Sequence, residues 1–66
     1  MQIEVNGKIR DVEPGQSIAV LLKELELDGR LVVVELNRQI VRHTERSDMV
    51  LKAGDRVEIV HFVGGG

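Results

Sequence analysis

Ser17-Ile18-Ala19-Val20-Leu21-Leu22-Lys23-Glu24-Leu25-Glu26-Leu27 is the stretch whose reading decides the fold. Ile18, Leu21, Leu22 and Leu25 recur at i, i+3, i+4 and i+7, the apolar stripe of an amphipathic helix. Lys23, Glu24 and Glu26 fall off that stripe. Ser17 suits the N-cap, where its hydroxyl can accept from an otherwise unpaired N–H of the first turn. Asp28-Gly29 supplies a stop, because glycine readily takes the left-handed position that follows a helix. The spacing predicts one helix over about 17–27.

Toward the N-terminus, Gln2-Ile3-Glu4-Val5 alternates polar and apolar as a half-buried strand does. Asn6-Gly7 is the strongest two-residue hairpin signal, since both central positions of a type I′ turn need positive φ. Lys8-Ile9-Arg10-Asp11-Val12 reads as the returning strand, and Pro14-Gly15 breaks it. Beyond the helix, Leu31-Val32-Val33-Val34-Glu35-Leu36 is nearly continuous in aliphatic residues, which predicts a central strand buried on both faces. Asn37-Arg38 turns the chain into a short strand, Gln39-Ile40-Val41, and the polar stretch from Arg42 to Asp48 reads as irregular. Met49-Val50-Leu51 adds core, and Ala53-Gly54-Asp55 makes another turn. Arg56 to Val63 forms the last strand, with Val57 and Ile59 on one face and Val60 and Phe62 on the other. A single helix can cover only one face of one sheet. The expected class is therefore α+β: a mixed sheet of about five strands in ββαβββ order, covered on one face by one helix.

The chain has 66 residues, enough for one domain with a small core, since a domain this short buries only about 60% of its unfolded surface. It has no cysteine, which removes disulfides, thiolate ligands and a cysteine nucleophile. The apolar stretches are too short to span a bilayer and no signal-peptide block precedes them. A soluble, cytoplasmic, monomeric protein is the expectation. The net charge of −2 gives no global argument for nucleic-acid binding. Charge is uneven, however: Asp11, Glu13, Glu24, Glu26 and Asp28 face only Lys23, whereas Arg38, Arg42 and Arg46 face only Glu45. Most such asymmetry is a solvated face; otherwise it marks a docking surface for a partner of opposite sign.

Little in the chain resembles catalytic machinery. His43 and His61 lie far apart and lack ligands at metal-binding spacing. Capping explains Ser17 better than nucleophilic attack does. No helix follows Gly64-Gly65-Gly66 that could aim its N-terminus at a phosphate. With no tyrosine, no tryptophan and one phenylalanine, the stacking platform for single-stranded nucleic acid is also missing. The domain is not expected to be an enzyme, and no bound cofactor or metal is expected.

The last residues are Phe62-Val63-Gly64-Gly65-Gly66. Three glycines resist belonging to a packed element, so residues 1–63 read as the domain and 64–66 as a flexible tail. Such a thread can enter a narrow channel where side chains would not fit, presenting the carboxylate of Gly66. Val60 and Phe62 stand just before it as a candidate apolar anchor, or as residues that merely pack on their own sheet. Ordinary terminal disorder and residues added during cloning also account for such glycines.

Taken together, the ββαβββ order, the Leu36-Asn37 to Ile40-Val41 hairpin, the Ala53-Gly54-Asp55-Arg56-Val57-Glu58-Ile59 turn and strand, and the terminal Val63-Gly64-Gly65-Gly66 carry a resemblance. Over its whole length the chain resembles the ThiS family, the sulfur carriers of thiamine biosynthesis with a ubiquitin-like β-grasp fold. The Gly-Asp-Arg-Val-Glu-Ile run is shared with other β-grasp carriers, and the small subunit of molybdopterin synthase is the nearest rival. The resemblance implies that a ThiF-type enzyme uses Mg-ATP to adenylate Gly66, with Gly64 and Gly65 threading into the partner. A sulfur-donating protein then converts the carboxylate to a thiocarboxylate, whose sulfur passes to thiazole synthase, ThiG. Val60, Phe62, Arg38, Arg42 and Arg46 are the candidate docking residues. A molybdopterin-type carrier, a ubiquitin-like protein modifier and a plain scaffold remain as alternatives.

Overall fold

The computed structural model describes residues 1–62. The chain forms β1 (Gln2–Val5), β2 (Lys8–Asp11), α1 (Ile18–Glu24), β3 (Val32–Leu36), β4 (Gln39–Val41) and β5 (Arg56–His61), with single 3-10 turns at Gly29–Leu31 and His43–Glu45. This is the α+β arrangement expected: a mixed five-stranded sheet in the order β2-β1-β5-β3-β4, with α1 on one face. Val63 and the glycines 64–66, and with them the expected domain boundary, lie outside the described residues.

Two hairpins build the flanks of the sheet. In the first, Gln2 to Val5 pair with Asp11 to Lys8 around Asn6 (φ 48°) and Gly7 (φ 82°). In the second, Leu36 pairs with Gln39 around Asn37 (φ 50°) and Arg38 (φ 71°). Both turns are of the I′ kind, whose twist matches that of the strands they join. β5 lies between the hairpins, parallel to β1 and antiparallel to β3. The two turn asparagines reach toward it. Asn6 Oδ1 accepts from Ile59 N at 2.7 Å, and Asn37 Oδ1 accepts from Arg56 N at 2.9 Å.

The expectation that the Leu31–Leu36 run forms a central strand buried on both faces is corrected. β5 takes the centre, and β3 buries Val32 and Val34 on the helix side while Val33 and Glu35 turn to the opposite, uncovered face. The helix covers one face only, so no strand of this sheet can be dry on both. The core on the covered side gathers Ile3, Ile18, Leu21, Val34, Leu51 and Val57, each almost fully buried. Burial of each such side chain is worth roughly 1.5–3 kcal/mol. Leu51 arrives from a loop, fixed where Leu51 N donates to Gln16 O at 2.8 Å and Ile18 N donates to Met49 O at 2.9 Å.

Ser17 caps α1 as its position suggests, Oγ accepting from Val20 N at 3.2 Å. The other end departs from the sequence reading. The helix closes at Glu24, before Asp28-Gly29, because Glu26 takes the left-handed conformation (φ 58°). Glu26 N donates to Lys23 O and Leu27 N donates to Leu22 O, each at 3.0 Å, the paired bonds of a Schellman ending. Gly29 has a different purpose. A Cβ there would sit 3.3 Å from Nη1 of Arg46, so glycine makes room for that guanidinium.

Two predictions follow from these ends. Left-handed backbone costs a residue with a Cβ about 1–2 kcal/mol, partly offset by the extra chain entropy glycine loses on folding. Glu26→Gly is expected to raise stability by about 0.5–1 kcal/mol, read as a higher midpoint in urea with an unchanged m value. Asp28 accepts from Arg30 Nη2 at 2.8 Å and from Arg30 N at 3.0 Å. These hydrogen bonds, the side-chain one foremost, hold its carboxyl down at about 2 rather than 3.8. The folded value is the lower one, so the contribution is present above the ordinary carboxylate range and is lost as pH falls toward about 2. In Arg30→Gln, an NMR titration of Asp28 should show its midpoint raised toward the ordinary range, the backbone hydrogen bond from residue 30 holding part of the shift.

Candidate docking face

The sheet face opposite α1 is built from the outward residues of all five strands, β2 contributing Ile9 opposite Glu4. Along β5 these are Arg56, Glu58 and Val60, continued by Phe62, whose N–H donates to Leu31 O at 2.7 Å. Strand pairing sets their neighbours. Arg56 lies beside Glu4, with Nε 3.1 Å from Oε2. Glu58 lies opposite Glu35, and Val60 opposite Val33. On β4, Ile40 lies opposite Glu35.

The face therefore grades from a charged end at Arg56 to an apolar end at Phe62. Val60 is 58% exposed, Phe62 55% and Ile40 69%, with Leu31 and half-buried Val33 between them. Isolated exposed aliphatic residues are ordinary, but a contiguous group on one face marks a contact surface. The Glu35–Glu58 pair adds a second sign. Like charges directly opposite on adjacent strands destabilise a sheet, and neither carboxylate has an ion-pair partner among the described residues. A face that carries both features is suited to a partner bringing apolar surface and a cation.

Val60 and Phe62 are thus brought together at the end of β5, outward and uncovered, as the alternation along that strand implies. The three arginines are not brought together. Arg38 occupies the β3–β4 turn and Arg42 follows the far end of β4, both exposed. Arg46 is corrected from a docking residue to a buried structural one: it is 6% exposed, and its Nη1 and Nη2 donate to Gly29 O at 2.6 Å and Val32 O at 2.7 Å. A guanidinium so engaged, beside helix residues Ala19, Leu22 and Lys23, is not part of the open face. Sequence reasoning missed Ile40, Val33, Leu31, Glu35 and Glu58. The two-residue turn at Asn37-Arg38 fixes the register of its hairpin, so Ile40 could have been assigned to the face of Glu35 beforehand.

Gly64, Gly65 and Gly66 lie outside the described residues. His43 and His61 are exposed, and no group of three or more potential metal ligands occurs among the described residues. No helix among them is long and apolar enough to cross a membrane.

Known proteins resemble this chain in sequence and architecture. The sequence model of the ThiS family matches residues 3–66. The sulfur carrier protein ThiS of Bacillus subtilis is 35% identical over 65 residues, covering 97% of this chain and 98% of that protein. A thiazole synthase of Paramagnetospirillum magneticum is 38% identical over all of this chain, which spans only 20% of that protein's length. The crystal structure of the thiamine biosynthesis protein ThiS from Geobacter metallireducens superposes with a TM-score of 0.86 at 33% identity, covering both chains in full. A match of this extent, on this ubiquitin-like β-grasp fold, places the chain in the ThiS family.

Proposed function

We propose that this chain is a sulfur carrier of thiamine biosynthesis whose reactive group is the carboxylate of Gly66. The observation that carries the reading is membership of the ThiS family over residues 3–66, a match that runs through the three glycines. A carboxylate is a poor electrophile until one of its oxygens belongs to a good leaving group. A ThiF-type enzyme supplies this with Mg-ATP: a Gly66 oxygen attacks the α-phosphorus, pyrophosphate leaves, and an acyl-adenylate forms. Sulfur delivered by a donor protein at the oxidation level of sulfide then attacks the carbonyl carbon. The new C–S bond replaces the C–O bond to AMP, and loss of the S–H proton leaves a thiocarboxylate. The carrier supplies an acyl group and a surface, and its partners supply the catalysis.

The uncovered sheet face is the surface on which the activating enzyme would sit. Val60 and Phe62 lie a few residues before Gly66 in sequence, so a partner that holds them also collects the tail. Thiazole synthase, ThiG, is the proposed acceptor of the sulfur. Support comes from the likeness of this whole chain to one fifth of the length of proteins named thiazole synthase, at 38% and 36% identity. A molybdopterin-type acceptor would be revealed by failure to complement a thiamine-requiring strain.

Co-expression with a ThiF-type enzyme should give an intact mass increased by the exchange of one oxygen for sulfur, absent when Gly66 is deleted. An unmodified mass with an active partner would remove the carrier reading, and higher-mass conjugates in extracts would favour a protein modifier. Phe62→Ala should weaken binding to the activating enzyme while unfolding stays cooperative; an unchanged dissociation constant rejects the anchor. Glu58→Lys should stabilise the free domain by about 0.2–1 kcal/mol by converting a like pair into an opposite one. The same change should slow association with the enzyme, most at low salt.

A further inference from the structure

On the helix side of the sheet, away from Val60 and Phe62, lies a hollow of about 300 Å³. Ala19, Leu22 and Leu27 give it apolar walls, and Lys23, His43, Arg46 and Ser47 supply donors. Sulfur transfer at Gly66 uses none of these groups.

Arg46 is the informative member. Its side chain is more than nine-tenths buried, yet no carboxylate lies within ion-pair distance of it among the described residues. Two of its nitrogens donate to backbone carbonyls, and its buried Nε has no partner. A buried charge is normally paired because desolvation penalises it heavily. Here carbonyl dipoles offset part of that penalty and leave the charge uncompensated by any carboxylate among the described residues. Lys23 and His43, both exposed, line the same hollow without an ion-pair partner among the described residues. The carboxylate whose charge His43 does influence, Asp28, is held by Arg30.

We propose that this hollow binds a small organic phosphate, its phosphate among Lys23, His43, Arg46 and Ser47 and its apolar body against Ala19, Leu22 and Leu27. The donor set decides the class. Two cations, Lys23 and Arg46, with an imidazole and a hydroxyl match a dianion with three acceptor oxygens, whereas a carboxylate brings one charge and two oxygens. The apolar walls call for an organic body that inorganic phosphate lacks. Because the hollow lies on the covered side of the sheet, its ligand and a partner on the open face can bind together.

Phenyl phosphate is the probe, titrated into the isotope-labelled full-length chain at constant ionic strength and followed by amide chemical shifts. Saturable shifts are expected at residues 19–29 and 43–47, with affinity on the order of millimolar for so small a ligand. Inorganic phosphate should bind several-fold more weakly and phenol should cause no shift there. Lys23→Gln and His43→Gln change exposed residues and should preserve the fold, each weakening phenyl phosphate about tenfold. Shifts that fail to saturate, fall elsewhere, or persist unchanged in both variants would overturn the site. Equal affinity for inorganic phosphate would overturn the organic ligand.

Discussion

The structure depends on the insertion of β5 between two hairpins that otherwise never meet. β1–β2 and β3–β4 are each closed by a two-residue turn and could pair locally, but a lone two-stranded hairpin is marginal in water. β5 joins them through parallel pairing with β1 and a five-residue antiparallel register with β3. Val57, fully buried near its start, lies beside Val5 and Leu36 and so connects the two halves of the core. Asn6 and Asn37 extend the bonding beyond the strand ladders. Each occupies a turn that needs positive φ and uses its amide to hold β5 from opposite sides.

This arrangement leaves one sheet face open, and the proposed docking surface there carries features that cost stability. Exposed Val60, Phe62 and Ile40, together with the facing Glu35 and Glu58, are choices that a sequence selected for stability alone would avoid. On the helix side Ile18, Leu21 and Leu22 meet Ile3, Val34 and Val57 in the core. The division lets one small domain pack its core on one side while leaving apolar side chains exposed on the other.

Much of the fold was legible in local signals. Asn6-Gly7 announced the first hairpin, Ser17 the helix start, and the period-2 pattern of β5 the outward placement of Val60 and Phe62. Three features were hidden because their causes are not local. Arg46 reads as a surface charge in sequence; only the meeting of its loop with Gly29 and Val32 shows that backbone carbonyls receive it. The helix end at Glu26 was missed because a glutamate at positive φ defies residue preference, and bonds to Lys23 and Leu22 hold it there. β3 was read as buried on both faces because its valines are continuous, whereas its outward Val33 lies on the uncovered face. The candidate site was correspondingly half visible: its anchor residues could be named, its acidic pair and its other aliphatic members could not.

The central place of β5 also orders events in time. On the ribosome, the two hairpins and α1 emerge before the strand that unites them, so the sheet cannot close until residues 56–61 have left the exit tunnel. Chains halted before that point carry unjoined strand edges and apolar surface, the features that draw unfinished proteins into aggregates or toward proteases. Synthesis thus discriminates against incomplete molecules: a carrier can acquire its native shape only when the segment leading to its proposed reactive end has already been made.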